Sequence, residues 1–419
     1  RERISQVSNI YDVMGIVGNG ASYKILQEAG IDDADLIIAV TGSDELNLLC
    51  CTIATQVGNC AAIARVRTPE YSQEAKYLRD KLGLALIINP ELEAAIEMAH
   101  ILHLPSSLEV TNFAHGQAQL IKYEIPEGSI LDGTKLMDLG TRHHANILIG
   151  AVERDDEVTI PSGDFVLRKG DKLSFVGERR HTKEFFSHIG VNTHSVKNTL
   201  IIGGGKAAYY LAKQLISRGI KVKIIENSFE RCEELSILLP GAVIINGDGT
   251  EQALLKEEGI ETCQSFVPLT GIDEENIMLT LYAKQVSNAK VITKLNRITF
   301  TNVINSLDLG SVISPKYITS EAIIAYVRAK KNSMNCNIET LYHMYDSRVE
   351  AIEFFVSENS NVTDIPLRDL KLKKHLLICF INRNGKIIIP TGNDSIQKND
   401  TVMIITTHTG FTNLQDIME

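Results

Sequence analysis

The sequence has 419 residues, 44% apolar and 22% charged, and its 42 Lys and Arg against 52 Asp and Glu give a formal charge of -10. At roughly 100 to 200 residues per domain, this length implies two to four globular domains and excludes one small stapled module. No stretch gathers basic side chains into a phosphate-tracking face, which argues against nucleic acid as a partner.

In chain order, the turn Gly18-Asn19-Gly20 comes first, and Asn19 there can hydrogen-bond a base or serve plain turn chemistry. The β-rich runs Leu36 to Val40, Ala62 to Val66 and Ala85 to Ile88 then alternate with longer segments of helical period. That pattern predicts a parallel sheet with crossover helices, a doubly wound α/β domain. Thr41-Gly42 follows the first run and so belongs at the carboxyl edge of the sheet, where a small hydroxyl and an open backbone suit ribose or phosphate. A helix N-cap with Asp44 and Glu45 in the first turn is a compatible reading. Arg65 ends the next run, a place for a cation facing phosphates or for a solvated charge.

The texture then changes to short strands punctuated by turns, Gln119 to Ile125, Ile147 to Glu153, Glu157 to Pro161 and Lys172 to Val176, closed by a helical tail from about Thr182. This predicts a compact α+β module of roughly 85 residues. Linkers are expected near Leu104 to Ser107, Asn192 to Asn198 and Lys330 to Ser333. The expected domains are therefore 1–104 and 195–331, both nucleotide-binding, and 105–194 and 332–419, both α+β.

The strongest chemical signal follows. Thr199 to Ile202 is an apolar strand, Gly203-Gly204-Gly205-Lys206-Ala207-Ala208 fits G-x-G-x-x-A, Tyr209 to Arg218 has helical period, and Lys221 to Glu226 is a strand ending in an acid. Gly203 makes the tight turn, Gly205 lets backbone N–H groups approach a pyrophosphate, and the helix N-terminus supplies partial positive charge. Glu226 can accept both ribose hydroxyls, and a 2'-phosphate would meet that carboxylate, so NAD or an adenine nucleotide is favoured over NADP. A Gly-rich turn with an empty pocket is the competing reading.

This second unit repeats the first. At an offset of 229, Ile16 to Asn47 matches Ile245 to Asn276 without a gap, with 12 identities in 32 positions against about two by chance. Asp248 thus matches Asn19, Thr270-Gly271 matches Thr41-Gly42, and Lys294 matches Arg65. Farther on, Arg154 matches Arg383, Pro161 matches Pro390, Gly163 matches Gly392 and Asp171 matches Asp400. By the same offset Arg1 aligns with Glu230, so a segment of about 32 residues that carries the first strand, a second glycine loop and an acidic strand end is expected upstream of Arg1 in a longer polypeptide.

The seven cysteines, Cys50, Cys51, Cys60, Cys232, Cys263, Cys336 and Cys379, form no C-x-x-C and read as buried thiols of a reducing compartment. His100, His103, His143, His144, His181, His188 and His194 read as exposed or packing residues. Apolar runs such as Leu376 to Ile381 fall far short of the roughly 20 residues a membrane span requires.

Three segments carry a resemblance: the repeated Thr-Gly-x-Asp-Glu-x-Asn, the run Ile63 to Tyr71, and Ile87-Ile88-Asn89-Pro90 with its counterpart Val312-Ile313-Ser314-Pro315. With the duplicated pairing of domains, the chain resembles the TrkA family, peripheral regulatory subunits of bacterial Trk potassium uptake systems built from tandem RCK (KTN) units. The resemblance implies binding of NAD(H), ATP or ADP. Gly203 to Ala207, Glu226, Thr270, Gly271 and Lys294 would form the second site, and Thr41, Gly42 and Arg65 the remaining part of the first. It also implies a homo-oligomeric ring on the cytoplasmic face of the plasma membrane, docked on a membrane-embedded, TrkH- or TrkG-like potassium-conducting subunit and acting without catalysis. Two other readings stay open: an NAD-dependent oxidoreductase, which would need an acid/base or nucleophile at the nicotinamide, and α+β modules that sense a ligand such as a cyclic nucleotide.

Overall fold

The computed structural model describes residues 4, 8, 11–104, 107–142, 146–191, 195–297, 304, 307–331, 338–357 and 361–419. The expected linker positions 105–106, 192–194 and 332–333, together with His143, His144, His194 and Cys336, lie outside the described residues. The chain forms two compact units, 1–94 and 95–419.

In the first unit, β1 (Leu36–Ala39), β2 (Ala61–Arg65) and β3 (Leu86–Ile88) make a parallel sheet in that order. Small side chains let the helix Asp44–Val57 lie close on it: Cys50 and Cys51 pack against Ala39, Ala62, Ala64 and Val66. Burial pushes the Cys51 thiol up to about 12, so it behaves as a packing group.

The second unit begins with an antiparallel module of β4 (Glu109–Phe113), β5 (Ala118–Glu124), β6 (Leu148–Arg154), β7 (Glu157–Thr159) and β8 (Lys172–Glu178), ordered β4-β5-β8-β6-β7. Its closing helix is Arg179–His188, starting three residues before the expected Thr182. The Thr182 hydroxyl donates back to the Glu178 carbonyl, so Thr182 lies inside the first turn.

Next come β9 (Asn198–Ile202), β10 (Lys221–Glu226), β11 (Ala242–Asn246), β12 (Ser265–Pro268), β13 (Lys290–Lys294) and β14 (Ser311–Ile313), a parallel sheet ordered β11-β10-β9-β12-β13-β14. Counted within the domain, that is 3-2-1-4-5-6, the order of dinucleotide-binding folds, with its reversal between β9 and β12. Apolar residues fill these strands because helices cover both faces; Leu200, Ile201, Ile202, Ile224, Ile225, Phe266 and Val267 are all buried.

The last module repeats the first with β15 (Ile338–Met344), β16 (Val349–Phe355), β17 (Leu376–Arg383), β18 (Lys386–Ile388) and β19 (Thr401–Thr406), ordered β15-β16-β19-β17-β18. The matched residues form matched bonds. Arg154 donates from Nε and Nη2 to the two Asp171 oxygens at 2.7 Å each, and from Nη2 to the Val166 carbonyl. Arg383 does the same to Asp400 at 2.9 and 2.7 Å and to the Ser395 carbonyl. The two modules pack together through Phe113, Leu120, Tyr345, Phe380, Met403 and Ile405. Gly150 sits at a bulge in β6, and a Cβ there would lie 2.3 Å from Ile405 Cδ1, so glycine sets how closely they meet.

In β15, His343 lies between two carboxylates, Nδ1 3.1 Å from Glu321 and Nε2 3.3 Å from Glu350. Arg328 also grips Glu350 with two 3.0 Å bonds. Hydrogen bonds that Glu321 and Glu350 accept from the His343 imidazole hold it up at about 9 against desolvation.

Asp400 is 1% exposed, and Arg383→Met leaves its charge uncompensated. In urea unfolding it is expected to cost about 3 kcal/mol, and Arg383→Lys to recover less than half, since an ammonium cannot hold both oxygens and the Ser395 carbonyl together. His343, with a folded value raised above its ordinary 6.5, stabilises fully below about pH 6.5 and loses that contribution as pH rises through about 9. The urea midpoint should fall over this window in the native chain and fall less in His343→Gln.

Candidate functional site

At the carboxyl ends of β9 and β12 two loops touch. Gly203 has φ +93°, and a Cβ there would lie 3.2 Å from the Leu269 carbonyl and the Thr270 nitrogen, so only glycine lets the loops close. A Cβ on Gly204 would come within 2.6 Å of Leu235 Cδ1. At Gly205 it would meet nothing within 4 Å, leaving this stretch of backbone open to a ligand.

Gly205 is the N-cap of the helix Lys206–Ser217, whose first intrahelical bond runs from the Tyr209 N–H to the Gly205 carbonyl. The N–H groups of Ala207 and Ala208 therefore have no intrahelical acceptor, and with the helix dipole they suit an anion. Ala207 and Ala208 are buried, which keeps the helix close to the sheet.

Glu226 ends β10 beside this loop. Its Oε2 accepts the Gly204 N–H at 2.6 Å and its Oε1 the Ser228 N–H at 2.8 Å, so the carboxylate is fixed at the crevice with lone pairs left for hydroxyl donors. Arg231 donates from Nε to the Gly204 carbonyl at 2.7 Å and pairs with Glu234. Sequence reading missed Arg231. The available signal was a cation in the first turn of the helix Phe229–Leu238, where the dipole disfavours positive charge unless a specific acceptor is present.

Thr270 and Gly271 sit across the crevice. The Thr270 hydroxyl donates to the Ile272 carbonyl and accepts the Ile272 N–H, while a Cβ on Gly271 would meet nothing within 4 Å. Thr41 makes the same turn with Ser43, and Gly42 is equally open. The threonines are thus two residues ahead of Ser43 and Ile272, the N-caps of the helices Asp44–Val57 and Asp273–Val286.

Sequence reading also left out the buried amide that holds each threonine. Asn276 accepts the Thr270 N–H at 3.0 Å and donates to the Lys294 carbonyl at 3.0 Å and the Thr270 carbonyl at 3.3 Å. Asn47 likewise accepts the Thr41 N–H at 2.7 Å and donates to the Arg65 carbonyl at 2.8 Å. Its place in the repeated Thr-Gly-x-Asp-Glu-x-Asn was the sign.

Both cations at the strand ends lean on these loops. Arg65 Nη2 donates to the Thr41 carbonyl at 2.7 Å, and Lys294 Nζ to the Leu269 carbonyl at 3.3 Å. Desolvation and the neighbouring Arg67 lower the Arg65 guanidinium from its ordinary value. Arg67 itself donates to the Gly42 carbonyl at 2.8 Å, where the second copy has Asn296.

Asp248 and Asn19 carry turn chemistry. Asp248 accepts the Thr250 N–H and hydroxyl, which lower its exposed carboxyl, and Asn19 accepts the Ala21 N–H. A Cβ on the neighbouring Gly249 would lie 2.3 Å from Ile202 Cγ2, so this turn rests on the end of β9 and brings Asp248 to the glycine loop. His100 and His103 lie on the helix Pro90–His103. Burial, together with the charges of Arg218, Arg179 and Lys183, pushes both down to about 4, so they are neutral packing groups.

Residues 1–90 and 199–315 match the TrkA-N domain, and residues 120–190 and 351–418 the TrkA-C domain, together well over half of the chain. The Trk system potassium uptake protein TrkA homolog 1 of Methanosarcina mazei is 33% identical over 411 residues, covering 96% of this chain and 90% of the relative. The chain belongs to the TrkA family. The TrkA homolog of Archaeoglobus fulgidus is 32% identical over 96% of this chain and 88% of its own, and TrkA of Haemophilus influenzae 29% over 94% and 86%. In fold, this TrkA-family chain is similar to the GsuK RCK domain, with TM-score 0.62 and 17% identity over 96% of this chain and 85% of that one. It is also similar to the GsuK channel bound to NAD, with TM-score 0.61 and 17% identity over 97% and 70%.

Asn276→Ala removes the amide that ties Thr270 to Lys294. It is expected to cost about 2 kcal/mol, with faster hydrogen exchange at the Thr270 N–H; unchanged exchange there would show that the loop is held by other contacts.

Proposed function

We propose that this chain is a nucleotide-sensing regulatory subunit of a potassium uptake system. NAD(H), or an adenine nucleotide such as ATP or ADP, binds at the carboxyl edge of the β9–β14 sheet. One observation carries this: a glycine loop open at Gly205 and an acid fixed at the end of the next strand, at the reversal of a 3-2-1-4-5-6 sheet. Family membership and the fold of a channel solved with NAD support it.

In this reading the pyrophosphate meets Gly204, Gly205, Lys206 and Ala207, the adenosine ribose meets Glu226, and Asp248 lies toward the base. Thr270, Gly271 and Lys294 approach from the facing strand ends. Thr41, Gly42 and Arg65 belong to the first site. The domains are 1–104, 105–194, 195–331 and 332–419. The subunit assembles as a homo-oligomeric ring, peripheral on the cytoplasmic face of the plasma membrane, and gates a TrkH- or TrkG-like potassium-conducting partner. No helix among the described residues is long and apolar enough to cross a membrane, so conduction is assigned to that partner.

The action is regulatory and not enzymatic. A nucleotide biases the partner only by binding two conformations with different affinity, and an affinity ratio of 5 to 150 corresponds to about 1–3 kcal/mol of coupling.

Calorimetry with NADH, NADPH, ATP and ADP tests the site. Gly205→Val is expected to leave stability within about 0.5 kcal/mol, since its φ of -66° and open surroundings accept a side chain. It should nevertheless weaken NADH at least tenfold. Glu226→Ala should weaken NADH about tenfold and narrow its advantage over NADPH. Unaltered NADH binding in both variants would refute the assigned site.

A further inference from the structure

The edge of the second nucleotide-binding sheet opposite the glycine loop is also occupied. Residues 95–104 and 107–108, from the part of the chain with which the second unit begins, run along it. Four hydrogen bonds hold them, each from the start of a different strand. Val196, just before β9, donates its N–H to the Leu102 carbonyl at 3.2 Å. Arg218, before β10, donates from Nη1 to the Ala99 carbonyl at 3.0 Å. Lys290, first in β13, donates from Nζ to the Ser107 carbonyl at 2.7 Å, and Ser311, first in β14, from Oγ to the Leu108 carbonyl at 2.5 Å.

Every acceptor is a main-chain carbonyl, so these contacts fix the path of the backbone itself. Leu102 belongs to the last turn of a helix, where carbonyls lack intrahelical donors, and the Val196 N–H supplies one. Apolar packing closes the seat: Met98, Ala99, Ile101 and Leu102 are fully buried. Lys290 is held away from water as well; burial and Lys284 pull its ammonium down to about 8 against the opposing charge of Asp308.

We propose that residues 95–104 with Ser107 and Leu108 are a latch, by which the second nucleotide-binding domain grips this segment of the chain and delivers shifts of its sheet to it. Strands of three to six residues span only about 10–20 Å from edge to edge, so they join the ligand crevice to the latch as stiff elements. The grip stands on the contacts alone; its use in signalling rests on the nucleotide-binding reading.

Hydrogen exchange on the whole chain tests both parts. In Arg218→Met with Lys290→Met, amides in 99–108 should exchange at least tenfold faster, while Leu200 to Ile202 change less than threefold. Equal exchange in 99–108 would overturn the latch. Should the double variant loosen the entire domain, Ser311→Ala, which trims one hydroxyl, should still speed exchange near Leu108, and its silence would also overturn the latch. NADH should alter exchange in 99–108 of the native chain, and the double variant should lose that response. Calorimetric binding with no response, or a response surviving in the double variant, would overturn the delivery. Absence of calorimetric binding would instead count against the nucleotide reading, with the latch judged on the first comparison.

Discussion

Parallel strands must be joined by crossovers, and a sheet with helices on both faces has one place where successive crossovers leave in opposite directions. Here that place lies between β9 and β12, and the crevice above their carboxyl ends is a result of the chain path. What the sequence adds is the closeness of the two loops. With the Gly203 Cβ position 3.2 Å from Leu269 and Thr270, any side chain would part the loops and move Glu226, the helix N-terminus and Thr270 out of register. The placement of the other site residues depends on this single contact.

Duplication shows which bonds are architecture. Arg154 with Asp171 and Arg383 with Asp400 repeat down to the third acceptor, a main-chain carbonyl five residues before each aspartate. Asn47 and Asn276 repeat in the same way. These are buried polar groups whose loss leaves partners unsatisfied, so each copy keeps them whatever it binds. Differences gather at the crevice. Arg65 and Arg67 in the first copy stand where the second has Lys294 and Asn296, one guanidinium pair against one ammonium. Planar forks and a point charge grip phosphates differently, so on the proposed reading the copies would differ in affinity or in preferred nucleotide.

The α/β order and the glycine loop were legible because parallel strands are continuous apolar runs and the loop's spacing has a mechanical cause. Strand ends moved by one or two residues, as at Lys172–Glu178, where pairing with β5 carries the ladder past the apolar run. The strand Glu109–Phe113 gave no alternating pattern; only Val110 and Phe113 are buried, and its partner β5 creates it. Arg231 was hidden for a similar reason, since its acceptor is a carbonyl 27 residues away in sequence. Contacts set by tertiary approach leave no period to read. The first copy shows this in reverse. At the 229 offset, residues 13–17 correspond to β11, whose partner is β10, yet they join no ladder among the described residues.

The two edges of the β9–β14 sheet divide the work. At the carboxyl edge, backbone N–H groups and small residues leave room for a ligand. At the amino edge, Arg218, Lys290 and Ser311 close on main-chain carbonyls and leave none. Coupling of 1–3 kcal/mol is small beside the cost of deforming a packed core, so it is better carried by moving stiff bodies about a joint than by bending one. A free linker would dissipate such a motion; a segment bonded at four strand starts moves with the sheet. On the proposed nucleotide reading, the latch, more than the crevice, would decide how far that ligand's influence reaches along the chain.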